Sequence, residues 1–149
     1  VKGVTAKNLF PEVPTFYFGP ENIAHSDQLN VLKTREKKVV TLDIGAFRAK
    51  EIILHRPEDK VLYPSHELKA LTPYRCTFGY DVIVYVGYAL FVHCRSDQEI
   101  TKALAERNIS ISDREISFLG KKFVTYLAMA HRESRQQIRS AMAVRGGYI

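Results

Sequence analysis

Arg114, Ser117, Lys121 and Thr125 recur at intervals of three and four residues, a spacing that on a helix brings all of them to one face. Their chemistry is that of a polyanion surface. A guanidinium can bond a pair of acceptors such as guanine O6 and N7, a hydroxyl accepts either partner, and an ammonium suits a phosphate. Lys122 stands beside this face, and Lys102 and Arg107 lie just upstream, where they would extend contact along a phosphate backbone. Ser112 would begin the helix, and a helix N-terminus can itself hold a phosphate.

The element that must carry these residues is announced by a start signal written twice. In Ser96-Asp97-Gln98-Glu99 and again in Ser112-Asp113-Arg114-Glu115, a serine precedes a glutamate by three positions at the head of helical periodicity. Each is a capping box, in which the serine oxygen takes the third helical N–H while the glutamate reaches back to the serine N–H. The first helix is expected to end near Arg107-Asn108, leaving only Ile109-Ser110-Ile111 before the second. Two capped helices so joined read as a helix-turn-helix, and double-stranded DNA is its expected partner. Arg114 and Ser117 would meet base edges, and Lys121 and Thr125 phosphates.

On the opposite side of the second helix, Ile116, Leu119, Phe123, Tyr126, Leu127 and Ala130 form an apolar stripe read as core, with Gly120 beside it to let the preceding helix approach. Phe118 falls near the polar face, where a large aromatic is unexpected, and is read as packing on the N-terminal arm or another domain rather than as a wedge in DNA. A last helix is expected over roughly Arg132 to Val144, exposed or bound to an acidic partner, with Arg132, Arg135 and Arg139 on it and Gly146-Gly147 ending it.

Upstream, residues 1–36 hold Pro11, Pro14 and Pro20 among Phe10, Phe16, Tyr17 and Phe18, and read as an extended arm, resistant to regular structure, that docks through its aromatics. Residues 37–75 read as a small antiparallel β-meander: a strand through Val39, Val40 and Leu42, a turn at Asp43-Ile44-Gly45, a strand from Phe47 to Leu54, the turn Arg56-Pro57-Glu58-Asp59 and a short strand at Val61 to Tyr63. Ser65 caps a short helix that stops before Pro73. Residues 81–93 have strand propensity, yet the three-helix unit needs a first helix there, with Asp81 as its cap. Being apolar on every side, that helix is expected to be buried all round. The fold class is therefore α+β, a β-meander followed by a mostly helical domain over 76–149.

The chain has 149 residues, 46% of them hydrophobic, and a formal charge of +6. The excess charge is concentrated late: residues 95–149 carry ten Lys/Arg against six Asp/Glu, and residues 1–94 twelve against ten. That balance fits contact with phosphate. Cys76 and Cys94 lack the close pairing of a zinc site, and neither metal nor cofactor is expected. No signal sequence is read at Val1 to Phe10, the apolar run Val82 to Val92 is about half a bilayer span, and a cytoplasmic location is expected. The five histidines are scattered, and no nucleophile elbow or phosphate-cradling glycine loop occurs, so no active site is expected.

Val40-Thr41-Leu42-Asp43-Ile44-Gly45-Ala46-Phe47, then Gly79-Tyr80-Asp81-Val82, Arg95-Ser96 with Glu99-Ile100, Ile109-Ser110-Ile111-Ser112 and Arg145-Gly146-Gly147-Tyr148 follow one another in an order that resembles prokaryotic insertion-sequence transposases of the DDE type, in the region before their catalytic domain. The resemblance spans about residues 38–149. It implies that the helix-turn-helix contributes to binding terminal inverted repeats. It also implies that an RNase H-like domain with three metal-binding carboxylates would follow Gly-Gly-Tyr, so that this region alone is not expected to cut or join DNA. Some such transposases carry cysteine pairs in the β-region, where this chain offers His55 instead. Two other readings stay open: a free-standing helix-turn-helix transcription regulator whose arm and meander mediate dimerisation or ligand sensing, and a protein-interaction module whose basic last helix binds an acidic partner. A homodimer is compatible with any of them.

Overall fold

In the computed structural model, residues 13–21, 29–58 and 60–146 are described. Phe10 and Pro11 of the expected arm, Asp59 of the expected turn and Gly147 lie outside them. The elements run β1 (Thr15–Phe18), β2 (Asn30–Thr41), β3 (Gly45–His55), β4 (Leu62–Tyr63), α1 (His66–Leu71), α2 (Tyr80–Phe91), α3 (Asp97–Ala105), α4 (Asp113–Glu133) and α5 (Arg135–Val144). The fold is α+β. It comprises two compact units: one takes in the described residues up to Val82 together with Glu106–Ile109, and the other holds Ile83–Ala105 and the described residues from Ser110 on. The division falls inside α2.

In the first unit β2, β3 and β4 form the antiparallel meander, and β1 adds a parallel strand, making the sheet mixed. The β2–β3 turn closes at Gly45, whose φ of +79° suits a residue without a Cβ. Strand β2 starts at Asn30, well before the expected start at Lys37, because its first half pairs with the far end of β3, across an irregularity between Val31 and Lys33. The expectation that residues 1–36 resist regular structure fails at Thr15–Phe18. There the carbonyl of Pro14 accepts from Arg48 N–H at 2.9 Å, and the strand's aromatics dock on β3. Phe16 meets Phe47 edge-on with centroids 5.2 Å apart, and Phe18 joins Val39, Phe47, Ala49 and Leu68 in the core. Ser65 caps α1, accepting from Leu68 N–H, and its own N–H donates to Glu51 Oε1 at 3.1 Å.

Asp81 differs from its expected role as an N-cap. It lies inside the first turn of α2 and ties that turn to the sheet: Oδ2 accepts from Leu42 N–H at 2.8 Å, and Oδ1 from Val82 N–H at 2.7 Å. The expected all-round burial of α2 is also corrected. Val82, Ile83, Val86 and Ala89 are buried, whereas Tyr80, Val84, Tyr88 and Phe91 form an exposed row. Apolar residues on every side therefore do not imply burial on every side.

Candidate nucleic-acid interface

The second unit builds its helical corner from local signals. At α3, Ser96 N–H donates to Glu99 Oε2 at 2.7 Å while Glu99 N–H donates to Ser96 Oγ at 3.3 Å. The Ser96 hydroxyl also donates to Glu99 Oε2 at 2.9 Å, and the Glu99 carboxyl is held below its ordinary range first by the Ser96 backbone N–H and then by this hydroxyl. At α4 the same pattern recurs, with Ser112 N–H donating to Glu115 Oε2 at 2.8 Å and Glu115 N–H to Ser112 Oγ at 3.2 Å. The two starts are joined by Thr101. Its hydroxyl lies 2.8 Å from Asp97 O on its own helix and 3.1 Å from Asp113 Oδ1 in the first turn of α4, so one proton is shared between the helix backbone and the neighbouring helix. Apolar packing supplies most of the rest: Ile100 and Leu104 of α3, and Ile116 and Leu119 of α4, are fully buried.

Against α4 comes α2. A Cβ on Gly87 would fall onto the ring of Phe123, and one on Gly120 would stand 2.8 Å from Leu90 Cδ1. Close approach at Gly120 therefore involves α2, where the sequence pointed to the preceding helix. The Phe123 ring stacks on Phe91 with centroids 6.1 Å apart and planes 14° apart, and meets Tyr88 at an edge. The expected core stripe of α4 is buried only at its start: Ile116, Leu119 and Gly120 are buried, Phe123 and Tyr126 half-buried, and Leu127 and Ala130 exposed. The helix, 21 residues long, outruns the elements that cover its first half.

Arg114, Ser117, Lys121 and Thr125 are all exposed on α4. Among the described residues no ion pair engages Arg114, Lys121 or Lys102, the pairs being Arg35 with Glu51 and Arg48 with Glu36. Ser117, Lys121 and Thr125 also border a groove of about 480 Å³ walled by Leu90, Phe91, Asp97, Gly120 and Val124. The Thr125 hydroxyl donates to Lys121 O at 3.0 Å, so its proton is committed to the helix. Ser112 is exposed, but its N–H and its hydroxyl both serve Glu115, which sets a carboxylate where a phosphate would approach. Lys122 is half-buried with its ammonium 5.1 Å above the Phe118 ring and 5.7 Å from that of Tyr126, a cation–π placement that draws it off the outward face. Phe118 is thus a partner of Lys122, itself 52% exposed. Lys102 is exposed on α3, and Arg107 is exposed in the 106–109 segment that groups with the first unit.

Sequence reasoning missed two features of this unit. One is the exposed row on α2; the other is the extent of α4, which takes in Arg132. Among the described residues no group of three or more His, Cys, Asp or Glu side chains is placed to hold a metal ion, and no helix is long and apolar enough to cross a membrane. Compared with family models, curated proteins and solved structures, the chain matches none.

Proposed function

We propose that this chain is a sequence-specific DNA-binding region of a transposase, which recognises the terminal repeats of its element and leaves cutting and joining to another domain. The observation that carries the DNA part is the outward face of α4: exposed Arg114 and Lys121, without ion-pair partners among the described residues, on a helix whose start is capped and clasped to α3. The transposase part rests on the order of motifs from Val40 to Tyr148. In this role the first turn of α4 enters the major groove, Arg114 reads a base edge and Lys121 holds a phosphate.

The test is selection of binding sites from random duplexes, then from genomic fragments, followed by titration across salt. Wild type is expected to recover the ends of an insertion element. Arg114→Ala is expected to cost about 1–3 kcal/mol at the selected site and to relax one base position. Lys121→Ala is expected to weaken all duplexes alike and to flatten the salt dependence by about 0.9 in the log–log slope. Recovery of promoters in place of element ends would favour the regulator, and absence of any duplex preference would favour the protein-interaction module.

A further inference from the structure

We infer that Arg132 is a second duplex contact, holding a backbone phosphate at the far end of α4; this rests on the DNA-binding reading of Arg114 and Lys121. By sequence Arg132 groups with Arg135 and Arg139 at the head of a last helix. By structure it belongs to α4, whose regular run ends only at Glu133 and is closed by Ser134, with φ −89° and ψ 7°. Its angular position is therefore set by α4. At about 100° per residue, Arg114, Lys121, Thr125, Ala128 and Arg132 fall along one line of the cylinder. All five are exposed. Arg135 and Arg139 follow the interruption at Ser134 and do not inherit this phase.

Length then decides what Arg132 would meet. At about 1.5 Å per residue it lies about 27 Å along the axis from Arg114, more than twice the roughly 12 Å width of the major groove. Where α4 lies across the groove with Arg114 at base edges, it has crossed out before Arg132 and passes over the sugar–phosphate backbone. The intervening Thr125 and Ala128 are small, and Thr125 turns its hydroxyl back to Lys121 O, so the helix can lie close to the duplex along this line. Among the described residues no ion pair engages Arg132. Glu133, the acidic residue next to it, is exposed on another side of the helix. A guanidinium suits a phosphate in this position through its fork of N–H donors. Its favourable placement at the helix C-terminus would steady α4 in any case, but would leave binding untouched.

The experiment titrates wild type, Arg132→Ala and Arg132→Lys with one selected duplex between 50 and 200 mM salt, with helix content checked by circular dichroism. Wild type is expected to lose about 3.5-fold more affinity over that range than Arg132→Ala, the effect of one phosphate contact. Arg132→Lys, which keeps the charge, is expected to retain most of the wild-type slope. Trimming the duplex beneath the far end of α4 should abolish the difference between wild type and Arg132→Ala. Steep salt dependence in wild type with an identical slope in Arg132→Ala would overturn this inference and leave the DNA-binding reading standing. No salt-dependent duplex binding by wild type would overturn both.

Discussion

Substituting alanine for Gly87 tests the packing that sets α2 against α4. In a helix interior this exchange normally stabilises by about 1 kcal/mol, because glycine gives up more backbone freedom. Here the added Cβ would land on the ring of Phe123, with Cγ and both Cδ atoms its nearest neighbours. The ring is half-buried and can swing outward, but only by abandoning its stack on Phe91 and its edge contact with Tyr88. Each such pair contributes about 0.5–1.5 kcal/mol, and overpacking a well-filled contact costs about 1–3 kcal/mol. The clash outweighs the propensity gain, so Gly87→Ala is expected to destabilise by about 1–3 kcal/mol. With Phe123→Ala as background the obstacle is gone, and Gly87→Ala should be neutral or stabilising by up to about 1 kcal/mol. Urea unfolding of the four proteins in the cycle measures the coupling, expected to be about 2 kcal/mol. Equal effects of Gly87→Ala in both backgrounds would refute the contact.

Asp81→Ala is expected to cost about 1–3 kcal/mol, since Leu42 N–H loses its acceptor, and to speed hydrogen exchange at Leu42. Unchanged exchange there would count against the tether. The lowered Glu99 carboxyl implies a pH dependence. Its bonds to Ser96 favour the folded state above the unfolded glutamate value, and that contribution is lost as pH falls through the lower folded value. An NMR titration of the Ser96 amide should therefore show an acid-side transition below the ordinary glutamate midpoint, absent in Glu99→Gln.

Features signalled by neighbouring residues were legible. Both capping boxes, the Ser65 cap and the Asp43-Ile44-Gly45 turn depend on groups a few positions apart, and each forms where the spacing puts it. The outward exposure of Arg114 and Lys121 follows from the same periodicity. Strand β1 was not legible because its partner is β3, far along the chain, and because Pro14 and Pro20 flank it. Nor could composition say how much of α2 and α4 would be covered. Leu127, at i+11 from Ile116, repeats the buried phase yet is 58% exposed, since the packing that buries Ile116 and Leu119 does not extend to it. The placement of Lys122 depended on two rings, at i−4 and i+4, whose competition with an outside phosphate periodicity does not express.

The pairing of β1 with β3 also bears on the order in which the chain assembles. Thr15 finds Arg48 only after a long loop closes, whereas β2 and β3 meet across a tight turn and α3 and α4 across a few residues. Contacts close in sequence form before distant ones. The hairpin and the helical corner are thus expected to form early, and the aromatic strand to add late, sealing Phe47 once the surface to receive it exists.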